Sequence, residues 1–158
     1  MSKVIFIVIL IIVAVVFIRR AGANKELAEF NIQQGQEFLA ANAKNVDVQQ
    51  TESGLQYEVI SSGTGDVHPK ASDQVKVHYH GTLIDGTVFD SSVNRGAPIS
   101  FGLNQVIKGW TEGVQLMVVG EKTKFYIPAN LGYGNRAAGA IPPGSVLIFE
   151  VELLAINE

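Results

Sequence analysis

A chain of 158 residues is long enough for one domain with a real hydrophobic core. Its 47% apolar and 17% charged residues, net charge of −3 and lack of any long basic run exclude a nucleic-acid binder. It has no cysteine, which excludes a disulfide framework, a thiolate metal site and a cysteine nucleophile.

The first predicted element is Val4–Ile18, "VIFIVILIIVAVVFI", an apolar run without Gly, Pro or charge. As a helix it spans roughly 22 Å, short against a bilayer core of about 30 Å, so Lys3 and Arg19 are expected to snorkel. Two readings stand: an uncleaved single-pass anchor in the cell membrane, or a signal segment with "AGA" (Ala21–Ala23) as its cleavage site. Arg19 and Arg20 favour the anchor, because a cleavable signal carries no positive charge there. Arg19, Arg20 and Lys25 outnumber Lys3, a narrow margin for a cytoplasmic domain; a periplasmic one stays open.

The next stretch, Asn24–Asn45, is rich in helix-forming residues. Asn24 is expected to cap it, with Leu27, Phe30 and Phe38 sharing one face. It reads as a connector helix packed on its own domain or on the membrane surface, or as a self-association helix. Val46–Gly54 loses periodicity and reads as a linker. The expected division is therefore 1–20 anchor or signal, 21–50 connector helix and linker, 51–158 catalytic or binding domain.

Alternating strands dominate the rest. They are Leu55–Gly65, Asp73–Ile84 with a hairpin signal at Asp85-Gly86, Glu121–Ala129, and Ser145–Ile156. Val75, Val77 and Tyr79 share one face; Lys76, His78 and His80 share the other and are expected to face solvent. Thr123, Phe125 and Ile127 point inward, with Lys122, Lys124 and Tyr126 outward. One stretch, Gln105–Met117, has Val106, Ile107, Trp110, Val114 and Met117 at helical spacing. Gly109 beside the tryptophan suggests close approach of another backbone or a ligand. The fold expected is α+β, a curled antiparallel sheet with one wet face wrapped over one short helix.

His78 and His80 alone do not make a metal site, which needs three or four ligands, and no metal is expected. No Ser–His–Asp arrangement or carboxylate pair suggests hydrolysis or group transfer. The inward aromatic and aliphatic residues Tyr79, Phe89, Val106, Ile107, Trp110, Tyr133, Ile141 and Phe149 come partly from loops and element ends, where binding residues concentrate. Phe101 is assigned to the core. Asp90 is the one carboxylate expected to reach this apolar site, with Arg95 as its partner.

"VKVHYHGTLIDGTVFDSS", "VIKGWTEGVQLMVVGEKTKFYIP", "YG" at 133–134 and "IPPGSVLIFEVELL" resemble, in order, the FKBP-type peptidyl-prolyl cis-trans isomerases. The likeness covers residues 54–156, and the "SGLQYEVISSGTG" opening resembles the bacterial macrophage-infectivity-potentiator-like branch. It implies a folding catalyst for X-Pro bonds in protein substrates, without a cofactor, with a pocket that also takes macrolides. Tyr79, Asp90, Tyr133 and Phe149 are the implied catalytic residues. Phe89, Arg95, Ile99, Val106, Ile107, Trp110 and Ile141 are the implied substrate-binding ones, with Trp110 as the floor. Three departures touch the rim: a short "FGLNQV", an alanine at or near Ala138 where human-type members carry histidine, and Ala140 for a larger aliphatic. The N-terminal region is shorter than the potentiator-like dimerisation module, so homodimer formation is not carried over. The alternatives are a membrane-tethered prolyl-peptide-binding chaperone or adaptor with little turnover, and a structural anchor.

Overall fold

In the computed structural model the backbone is described for residues 2–158 and side chains for Ile5 and from Ile7 onward, so the expected roles of Met1, Lys3, Val4 and Phe6 lie outside the described residues. The apolar run and the connector form one continuous helix, α1 (Ser2–Asn42), without proline. Asn24 is therefore inside a helix and caps nothing. The apolar residues from Ile7 to Ile18 are exposed on every side of α1, and no other part of the chain packs against them among the described residues.

The second half of α1 docks on the domain, but not by the stripe expected. Ala28 and Gly35 are buried, with Asn31, Ile32, Phe38, Leu39 and Asn42 half-buried; Leu27 and Phe30 are exposed. The spacing 28, 31/32, 35, 38/39, 42 is the helical face that small residues open to close approach. A methyl at Gly35 would lie 2.6 Å from Val146 Cγ2, and one at Gly144 would lie 2.4 Å from the Ala28 carbonyl oxygen. Asn31 Nδ2 donates to the Pro143 carbonyl at 2.8 Å, and Asn42 Nδ2 donates to Gln56 Oε1 at 2.8 Å. Phe38 packs on Tyr126 with ring centroids 6.0 Å apart. Tyr126 thus lies on the outer face as expected, yet is buried, because α1 covers that part of the sheet.

The strands are β1 (Gln49–Gln50), β2 (Gln56–Ser61), β3 (Gln74–Thr82), β4 (Val88–Ser91), β5 (Ile99–Gly102), β6 (Lys122–Ile127) and β7 (Leu147–Ile156). They form one antiparallel sheet in the order β1-β2-β6-β7-β3-β4, with β5 beside the first half of β3. The expected linker thus contains a short edge strand. It is tied down further by Thr51 and Ser53, whose hydroxyls donate to Glu112 Oε1 and Oε2 at 2.5 and 2.6 Å.

The strict alternation of β7, buried at Leu147, Phe149, Val151, Leu153 and Ala155, curls one face around the helix α3 (Lys108–Val114). The core is built there from Val75, Val77, Leu103, Val114, Met117, Phe125, Ile127 and Leu147. The helix is shorter than its apolar spacing suggested. Val106 is extended, at φ −114° and ψ 176°, and Ile107 is the N-cap. Gly109 and Gly113 lower helix propensity but let α3 lie close to the sheet. What approaches Gly109 is the Ile127 side chain, 2.6 Å from where a methyl would sit, rather than a backbone or a ligand.

Candidate active site

The sheet, α3 with its lead-in and the loop before β7 aim side chains at one cavity of about 790 Å³ on the concave side of the sheet. Strands β3, β4, β5 and β7 contribute Tyr79, Phe89, Asp90, Ile99, Phe101 and Phe149. The lead-in to α3 contributes Gln105, Val106 and Ile107, and α3 itself Trp110. The loop before β7 contributes Tyr133 and Ala138–Ile141. Ten of the eleven residues expected from the sequence line this cavity; Arg95 stands behind the wall, bonded to two of them.

The deep part is an aromatic box. The Trp110 ring meets Phe149, Phe101 and Tyr79 at centroid distances of 5.2, 5.3 and 5.5 Å, with interplanar angles of 88°, 64° and 88°. Phe89 stands edge-on to Phe149 at 5.3 Å. Each edge places a positive ring rim against a negative ring face, so the box holds its shape. Gly81 makes room for it, because a methyl there would lie 2.7 Å from the Phe89 ring and 2.8 Å from Phe149.

One polar group reaches the box. The Tyr79 hydroxyl donates to Asp90 Oδ2, Arg95 bridges to Asp90 Oδ1, and Arg95 Nη2 donates to the Tyr79 oxygen at 3.0 Å. Burial pushes the Tyr79 hydroxyl above its ordinary pKa, and its bond to Asp90 pushes the same way. Burial also pushes the Asp90 carboxyl up, but the hydrogen bonds from Tyr79 and Arg95 together outweigh it and hold the group below the usual 3.8. Arg95 is held protonated by its bonds to Tyr79 and Asp90.

Arg95 reaches this position because it ends a single helical turn, α2 (Ser92–Arg95), stopped at both ends. Ser91 Oγ accepts from the Asn94 N–H at 3.1 Å, and Gly96 closes the turn at φ 71°. Here the two histidines find their role. His80 Nδ1 is bonded to Ser91 Oγ at 2.9 Å and His78 Nδ1 to Ser92 Oγ at 3.0 Å. Ser92 Oγ in turn accepts from the Tyr79 N–H at 2.8 Å. Alternation alone places both histidines in solvent; they are instead half-buried under the α2 turn. They pin α2 to the outer side of the strand whose inner side carries Tyr79.

The rim is different in character. Tyr133 is 42% exposed and Ile99 40%, against 6% for Trp110 and Phe149. Ala138 and Ile141 close the loop on itself through two backbone bonds, Ala138 N–H to the Ile141 carbonyl at 3.0 Å and the reverse at 2.9 Å. Phe101, Gln105 and Gly139 line the cavity without having been singled out for it. For Phe101 a signal existed: it lies two residues from Ile99 on the same strand, so both side chains leave the same face.

An arrangement of this kind carries no nucleophile beside a base. It offers an apolar aromatic slot, a polar wall at Tyr79, Asp90 and Arg95, and a half-exposed rim at Tyr133 and Ile99. The family described as "FKBP-type peptidyl-prolyl cis-trans isomerase" matches residues 65–154, and the "Domain amino terminal to FKBP-type peptidyl-prolyl isomerase" matches residues 12–59. The FKBP-type peptidyl-prolyl cis-trans isomerase FkpA of Aeromonas hydrophila is 61% identical over 139 residues, which are 88% of this chain and 51% of that protein. The outer membrane protein MIP of Legionella longbeachae is 46% identical over 89% of this chain and 60% of its own length. The crystal structure of FkpA from Escherichia coli superposes with a TM-score of 0.89 at 42% identity, covering 95% of this chain and 70% of that one. The chain spans about half the length of the FkpA-type curated relatives it matches, 51% for the Aeromonas protein. With the aromatic box, the curled sheet and the match over residues 65–154 in agreement, the chain belongs to the FKBP-type peptidyl-prolyl cis-trans isomerase family.

Proposed function

We propose that the chain is a membrane-anchored peptidyl-prolyl cis-trans isomerase that accelerates rotation about X-Pro bonds in protein substrates. The observation that carries this reading is the aromatic box, whose only side-chain ionic group near the floor is the neutralised Asp90–Arg95 pair. The amide C–N bond is planar because charge separates between oxygen and nitrogen, and the rotation barrier is about 18–20 kcal/mol. Water solvates the separated charge; an apolar slot does not. A slot that holds the twisted amide better than either planar form lowers the barrier, and roughly 5 kcal/mol gives several thousandfold.

In this account Trp110, Phe89, Val106 and Phe149 hold the proline ring. The Tyr133 hydroxyl and the Ile107 N–H, at the N-cap of α3, take up peptide carbonyls. Tyr79, locked by Asp90 and Arg95, forms the polar wall against which the twisted carbonyl rests. Ile99 and Ile141 meet the residues flanking the proline. The cavity size suits a macrolide as a competing ligand. The exposed apolar residues of α1, followed by Arg19 and Arg20, support a single pass through the cell membrane.

The test uses the full chain in detergent or vesicles and a protein whose refolding is limited by proline isomerisation. Acceleration suppressed by a macrolide is expected. Capture of prolyl peptide without acceleration points instead to an adaptor.

A further inference from the structure

The order in which α1 meets the domain is informative. Moving away from the apolar segment, its first contacts are Ala28 on Gly144 and Asn31 on the Pro143 carbonyl. Gly35 on Val146 follows, then Phe38 on Tyr126, and last Asn42 on Gln56. The end of the domain nearest the apolar segment is therefore the loop that carries the cleft rim. The Gly144 N–H donates to the Gly134 carbonyl at 2.8 Å, so the turn seated on Ala28 is bonded directly to the residue after Tyr133. Pro143 is two residues from Ile141.

A continuous helix joins this loop to the apolar segment. Residues 20–28 lie inside one unbroken helix without proline. Eight residues at 1.5 Å each put Arg20 roughly 12 Å from Ala28 along the axis. A linker of ordinary composition would let the domain wander; a helix docked by Ala28, Asn31 and Gly35 does not.

We infer that the cleft works at a fixed, short stand-off from the bilayer, and that its substrates are prolyl bonds in chain segments held at the membrane surface. This rests on the isomerase and anchor readings above. Its physical content is effective concentration: a tethered site sees tethered substrate best when the reach of the two matches.

The test places the full chain in phosphatidylethanolamine–phosphatidylglycerol vesicles. Two substrates carry the same X-Pro peptide on a lipid tail, through a Gly/Ser spacer of 5 or 25 residues, reaching roughly 12 and 27 Å. A third is the untethered peptide. For the unmodified chain, the short-spacer substrate is expected to turn over at least threefold faster than the long one. A helical insert of seven residues after Gly22 raises the domain by roughly 10 Å and keeps its face to within about 20°. It is expected to reverse the preference while leaving the untethered peptide unaffected. A seven-residue Gly/Ser insert at the same place is expected to abolish the preference.

Equal turnover at both spacers, a preference that neither insert moves, or a chain that does not float with the vesicles overturns the inference. Failure of the unmodified chain on the untethered peptide overturns the isomerase reading instead, and the inference with it.

Discussion

Tyr79 stands edge-on to Trp110 at 5.5 Å while its hydroxyl, at the other end of the same ring, donates to Asp90. One side chain thus joins the aromatic floor of the cleft to the polar wall made by Asp90 and Arg95. Removing the hydroxyl separates the two functions. Tyr79→Phe keeps the ring contacts and leaves the Asp90–Arg95 pair in place. It is expected to lower kcat/KM about three- to tenfold, mostly through kcat, and stability by about 1–2 kcal/mol. Steady-state kinetics on an X-Pro peptide and denaturant unfolding measure the two effects.

Gly81 lies under the Phe89 and Phe149 rings, where a methyl group would sit 2.7–2.8 Å from their carbons. Phe149 is buried and Phe89, half-buried, stands edge-on against it, so the strain is relieved only by moving the cleft rings. Gly81→Ala is expected to cost about 1–3 kcal/mol and to weaken macrolide binding by displacing the two rings. Calorimetric titration and thermal unfolding check this; unchanged affinity and Tm would show that the box is softer than its geometry implies.

Asn31 and Pro143, 112 residues apart in the chain, are joined at 2.8 Å. Asn31→Ala removes one half-buried donor and is expected to cost about 1 kcal/mol. Gly35→Leu, which drives a side chain into Val146, is expected to cost more and to loosen α1 from the sheet. Amide exchange at Gly144 and Gly134 should quicken in both variants, and in Gly35→Leu more than in Asn31→Ala.

The pH dependence follows from the Tyr79–Asp90–Arg95 group. Asp90 titrates below 3.8 in the folded chain, so its contribution to stability is fully present above about pH 4 and is lost as pH falls through its lowered folded value. Tyr79 titrates above 10.0, so its contribution is present below that and is lost as pH rises through its raised folded value. Between these limits the carboxylate stays charged and the phenol stays protonated. Turnover on peptide is expected to be flat from pH 6 to 8, without the bell shape of an acid–base pair.

Much of the cleft was legible in the sequence because it is built from strands. Alternation in "VKVHYHG" assigns Tyr79 to the concave face, and the aromatic and aliphatic positions of β7 follow the same rule. Where alternation was overridden, another part of the chain had covered or gripped the residue. Tyr126 points outward but is buried by α1, His78 is bonded to Ser92 of α2 and His80 to Ser91, its N-cap, none of which a single strand can reveal. The docking face of α1 was misread for a related reason. Search for a stripe of large apolar residues finds Leu27, Phe30 and Phe38, of which Phe38 packs on Tyr126, whereas the closest approach is made at Ala28 and Gly35, whose value lies in being small. Val106 and Ile107 had helical spacing, but the helix starts after them, which turns them into the cleft.

The account stands or falls on rotation in a dry slot without proton transfer. Its most direct test is the acceleration of X-Pro isomerisation by the full chain, measured in light and heavy water. The expected result is an acceleration of at least a hundredfold with a solvent isotope effect close to one. No acceleration, or an acceleration that drops severalfold in heavy water, would contradict it.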